Sequence, residues 1–70
     1  MPIAFAPIGV EMTIMKVVGG DAVIKRMVAL GIKPGSKVTV FSSGKNGIIA
    51  YVLGAKIALD GDLSTRIYVA

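Results

Sequence analysis

The segment Met27 to Val40, MVALGIKPGSKVTV, constrains this chain more than any other stretch. A short helical pattern ends at Gly31, a proline–glycine pair follows at once, and an alternating strand begins at Lys37. Gly31 suits the left-handed position just past a helix end. Lys33-Pro34-Gly35-Ser36 fits a type II turn, because proline presets the first central residue and glycine accepts the positive φ of the second. From Lys37 to Phe41 the residues alternate, with Val38 and Val40 on one face. In 70 residues this helix–turn–strand unit fixes much of the fold, and the chain reads as a single domain over 1–70 with no room for a second core.

Upstream, Gly19-Gly20 ends a strand candidate, Glu11 to Val18. That strand alternates imperfectly: Met12 and Ile14 share one face, Met15 and Val17 the other, as a bulge or burial on both faces would produce. Asp21 reads as the helix N-cap, and its charge suits that end of the dipole. Ile24 stands where a capping box needs Glu or Gln. Val23, Met27 and Leu30 form an apolar stripe that Ile24 and Val28 widen, and Lys25 and Arg26 lie opposite it. A helix of about three turns is not stable alone, so it must dock on a sheet.

The rest is short strands and turns. Pro7-Ile8-Gly9 reads as an opening turn, and Ser42 to Gly47 as a polar loop carrying the hairpin signal Asn46-Gly47. Ile48 to Leu53 is a strongly apolar strand. Gly54-Ala55 turns it into Lys56 to Leu59. Asp60-Gly61-Asp62 is another turn, Leu63 to Thr65 a single helical turn, and Arg66 to Val69 the last strand. The prediction is a mainly β domain: five strands, with one short helix between the first two, curled into a partly closed barrel that protects its edges.

Composition excludes several functions. The chain is 54% hydrophobic, yet its longest apolar runs fall short of the ~20 residues of a membrane span. They are Met1 to Val10, broken by Pro2 and Pro7, and Gly47 to Ala55. The expectation is a soluble protein whose surplus apolar residues leave exposed surface for self-association. Without cysteine no disulfide forms, which fits a reducing cytosol. Nucleophilic catalysis has no support: there is no His or Cys, and Ser36, Ser42, Ser43 and Ser64 lack a base of the usual kind. Gly44-Lys45-Asn46-Gly47 lacks the spacing of a phosphate-binding loop. Ferrous iron favours imidazole and carboxylate ligands. Only Glu11, Asp21, Asp60 and Asp62 offer side-chain carboxylates, and Asp60-Gly61-Asp62 reads as a polar turn. Met12, Met15 and Met27 read as core filler. No catalytic residue, metal ligand or cofactor is expected.

The net charge of +4 reads either as a solvated surface or as an electrostatic footprint for nucleic acid, lipid headgroups or an acidic partner. Nucleic-acid surfaces pair basic residues with exposed rings. Phe41, Tyr51 and Tyr68 lie in strand patterns, where packing in the core or barrel wall is the expectation.

Lys25-Arg26-Met27, Leu30-Gly31-Ile32, Pro34-Gly35, Val38-x-Val40, Ile57-Ala58-Leu59 and Ile67-x-Val69, in that order, resemble the FeoA family of small cytosolic SH3-like barrels. The resemblance runs from about Ile8 to Val69. It departs at Met27, where leucine is usual, at Asp60, where a basic residue is common, and at Asn46-Gly47, where the loop often holds proline. It implies a small five-stranded SH3-like barrel and a cytoplasmic accessory role in ferrous iron transport. The implied partner is a FeoB-like permease with a cytosolic GTP-binding domain. The alternative is a small basic barrel that binds nucleic acid as a ribosome- or repressor-associated module. For the partner surface the expectation is Lys25, Arg26, Lys33 and Lys37, on the outer face of the helix and around the turn after it.

Overall fold

The computed structural model describes all of residues 1–70. In chain order it has a 3-10 turn at Ile3–Phe5, β1 (Glu11–Val17), α1 (Asp21–Ala29), β2 (Lys37–Gly44), β3 (Gly47–Val52), β4 (Ala55–Asp60), α2 (Gly61–Arg66) and β5 (Ile67–Val69). The strands form one antiparallel sheet in the order β4-β3-β2-β1-β5. The register of β1 slips between Ile14 and Lys16, so of the two readings of its broken alternation the bulge holds.

Strand alternation builds the core. Ile14, Val38, Val40, Ile48, Ala50, Val52, Leu59, Ile67 and Val69 point inward and are almost fully buried. Each large one contributes about 1.5–3 kcal/mol of transfer free energy. From outside the sheet, Ile3, Met27 and Ile32 complete the cluster. Ile3 is held there because the N-terminal segment lies against β5. The Met1 amine donates to the Val69 carbonyl at 2.9 Å, and the Val69 N–H donates to the Met1 carbonyl at 2.7 Å.

Helix α1 docks by its C-terminal end. The Gly31 N–H donates to the Val28 carbonyl at 2.9 Å and the Ile32 N–H to the Met27 carbonyl at 2.8 Å, with Gly31 at φ 86. This is a Schellman cap. It brings Ile32 and Met27 into contact with the core together, each 1% exposed. The turn after it is as predicted: Gly35 has φ 92, and the Ser36 N–H donates to the Lys33 carbonyl at 3.0 Å. At the other end Gly20, not Asp21, is the N-cap, and no side chain caps that end. Asp21 is the first helical residue, where its charge still faces the dipole. The apolar stripe buries less than expected, since Val28 and Leu30 stay 47% and 38% exposed.

A second helix stands where the sequence reads as one turn. The Asp60 carboxylate accepts the Leu63 N–H at 2.8 Å, and Asp62 pairs with Arg66 at 3.0 Å. Residues read as turn formers therefore cap and brace α2. The Ser42 to Gly47 loop is also largely strand, because Ser42, Ser43 and Gly44 pair with Ile49, Ile48 and Gly47. Its turn is only Lys45-Asn46.

Candidate partner-binding surface

All four predicted cations are exposed. None is in an ion pair, since the only salt bridge joins Asp62 and Arg66. Lys37 is tethered: its Nζ donates to Thr13 Oγ1 at 2.7 Å, across the β1–β2 pair. Arg26 and Lys37 belong to different concavities. Arg26 lines a cleft of about 550 Å³ under the β2–β3 hairpin, with Ser42, Ser43 and Lys45. Lys37 lines a second depression with Glu11, Gly35, Tyr51 and Leu53. Lys25 and Lys33 line neither.

Leu53 is the residue that sequence reasoning missed. It begins the β3–β4 turn with φ 53, the only residue other than glycine at positive φ. That conformation costs an L-residue roughly 1–2 kcal/mol. Its side chain is nevertheless 79% exposed. It lies over Gly31, where an added Cβ would meet Leu53 Cδ1 at 2.5 Å. A strained backbone thus presents a bare leucine above the Schellman glycine, in the same depression as Lys37. Leu53 closes the apolar run Ile48 to Leu53 before glycine, and the composition of that run does not single out which of its residues faces solvent.

A second exposed group lies on the outer face of β2–β3–β4. The register of β2 slips between Val40 and Ser42, and the intervening Phe41 is turned outward, 51% exposed. Tyr51 packs edge to face against it, with centroids 5.5 Å apart and planes at 87°. The Lys56 ammonium sits 4.5 Å from the Phe41 centroid and 5.7 Å from that of Tyr51. The expectation of core or wall packing is therefore wrong for these two rings. It holds better for Tyr68, which is half-buried with Lys16 over its face at 4.8 Å. Met15, expected in the core, is 56% exposed because the β1 bulge turns it out.

No group of three or more His, Cys, Asp or Glu side chains is placed to hold a metal ion. No helix is long and apolar enough to cross a membrane.

The FeoA domain family model matches residues 1–70. The chain belongs to the FeoA family. A candidate Fe(2+) transport protein A of Methanocaldococcus jannaschii is 34% identical over 68 residues, which cover 97% of this chain and 83% of that one. Among solved structures, the crystal structure of an iron uptake regulatory protein, FeoA, superposes with a TM-score of 0.90 at 27% identity, covering 99% of this chain and 93% of that one. The FeoA of Stenotrophomonas maltophilia, crystallised with zinc, superposes with a TM-score of 0.85 at 21% identity, covering 100% and 89%. It is described as a procaryotic SH3 domain protein, and the five-stranded sheet here has that SH3-like form. The names of these relatives, Fe(2+) transport protein A and iron uptake regulatory protein, tie them to iron.

Proposed function

We propose that this FeoA chain is a cytoplasmic accessory protein of ferrous iron transport, one that activates or regulates a permease by binding it and does not itself carry iron. The partner we infer is the cytosolic GTP-binding domain of a FeoB-type permease. The observation that carries the reading is the Leu53–Lys37 depression: an exposed apolar anchor, held at the cost of backbone strain, next to a tethered cation. Apolar anchors supply most of the affinity of an interface, and charges supply steering. Lys25, Arg26 and Lys33 are the steering charges of the proposal, and the partner supplies acidic groups. The description of the Stenotrophomonas protein as a candidate activating factor for ferrous iron transport supports the same role.

The test is binding to the isolated GTP-binding domain. Lys25→Glu combined with Arg26→Glu leaves folding almost unchanged, since exposed charges contribute little to stability. It weakens binding most at low salt. Unchanged affinity in the folded double variant removes the cations from the interface.

The exposed rings favour nucleic acid at first sight, because single strands stack on such residues. Their geometry argues otherwise. The two planes stand at 87°, and an ammonium already occupies the ring faces. Weak retention on a polyanion column, with a shallow salt slope, is the expected result.

A further inference from the structure

The free edge of β4 carries an inference separate from the permease reading. β4 pairs only with β3, and no turn or loop backbone hydrogen bond reaches it. Leu53-Gly54 is a two-residue loop, so Val52 and Ala55 are a hydrogen-bonded pair. Antiparallel pairs alternate. Ala55, Ile57 and Leu59 therefore bond to β3, while the backbone groups of Lys56 and Ala58 and the N–H of Asp60 face outward without a partner. Such an edge is a template for another strand unless it is guarded. The usual guards are missing. β4 has no proline and no bulge, and its one lysine folds back over Phe41 and Tyr51, away from the edge.

We propose that β4 pairs with β4 of a second copy of this chain, antiparallel and centred on Ala58. Five two-fold registers join outward-facing groups, one centred on each residue from Lys56 to Asp60. The first opposes two ammonium groups and the last two carboxylates, which is destabilising, and the registers centred on Ile57 and Leu59 set Lys56 or Asp60 opposite Ala58 with no charge partner. The middle register sets Lys56 against Asp60 of the other copy and Ile57 against Leu59. In it Ala58 exchanges both of its backbone bonds with its symmetry mate, and each Asp60 N–H reaches a Lys56 carbonyl, about four hydrogen bonds in all. Of these registers only this one sets residues of opposite charge across the seam. The two-fold axis is perpendicular to the sheet, so both Phe41–Tyr51–Lys56 clusters lie on one face of a continuous sheet. One short strand pair buries less than the about 800 Å² per partner of a standard interface, so the association is weak and concentration-dependent.

Sedimentation equilibrium from micromolar to millimolar concentration, combined with amide exchange measured by NMR, tests this. The Ala58 and Asp60 amides gain protection as concentration rises, while the Ile57 and Leu59 amides are protected throughout. Ala58→Pro removes an outward N–H, which an edge strand tolerates, and abolishes the dimer in a folded protein. Should that variant fail to fold, Lys56→Asp opposes two carboxylates twice over and weakens association about tenfold. A monomer at millimolar concentration overturns the proposal. So does a dimer unaffected by these substitutions, or exchange at Ala58 that does not depend on concentration.

Discussion

The two hairpin turns of this sheet solve the same problem with opposite residues. The β2–β3 turn, Lys45-Asn46-Gly47, contains the Asn-Gly pair that marks a type I′ hairpin. Yet neither Lys45 nor Asn46 has positive φ, and the unusual backbone falls on Gly47, at φ 134. The β3–β4 turn has the type I′ form, with φ 53 and 77 at its two central residues, but the first of them is Leu53. In one turn a glycine is compelled by its surroundings. In the other a leucine stays where the backbone alone would choose glycine or asparagine. The first difference is steric and concerns stability. The second concerns a side chain that is mostly in solvent and rests against Gly31.

The largest effect that sharpens this contrast is at Gly47. A Cβ there collides with the Leu59 carbonyl oxygen and comes within 2.8 Å of Asp60 Cα, so neither neighbour can yield without breaking the β3–β4 ladder. Gly47→Ala is expected to cost about 3 kcal/mol or more, read as a lower denaturation midpoint at unchanged slope. The second effect is at Gly54. A Cβ there meets nothing within 4 Å, so only the φ of 77 is at issue. Gly54→Ala should cost about 1 kcal/mol. Equal losses at the two glycines would erase the steric distinction between the turns.

These turns also mark what the sequence made legible. The helix end, the type II turn and the alternation of β2 were readable because each depends on a residue whose backbone preference is local: Gly31, Pro34, Gly35. The β1 bulge was readable from a broken period. What stayed hidden depends on distant partners. Asp60 became a cap only because β4 delivers it to the start of α2. Phe41 lies on the outer face, where the alternation of KVTVF puts it opposite Val38 and Val40, but its company there, Tyr51 and Lys56, depends on β3 and β4. The candidate surface was half legible. Exposed cations can be read from the polar side of a helix, whereas the exposed leucine closed an apolar run that does not single it out.

The third effect tests that anchor. Leu53→Asn places a residue that tolerates the left-handed region at φ 53 and gives up little burial, so stability should rise by about 0.5 kcal/mol. If Leu53 is the contact residue, affinity for the permease's GTP-binding domain falls although the protein is more stable. Better stability with full binding would make the leucine an accident of the turn.

The smallest effect decides how the Asn-Gly signal should be read. In a type I′ turn across Asn46-Gly47, asparagine would occupy the first left-handed position, and alanine there would cost about 1 kcal/mol. In this protein Asn46 keeps an ordinary φ, its side chain makes no hydrogen bond within the chain, and it is exposed. Asn46→Ala should therefore stay within about 0.5 kcal/mol of the parent, as surface substitutions away from special backbone do. Thermal denaturation beside Gly47→Ala makes the pair informative: a large loss at the glycine with almost none at its neighbour means that the backbone demand sits on one residue. A loss at Asn46 comparable with that at Gly54 would instead move the left-handed position back onto the asparagine and make the two hairpins alike.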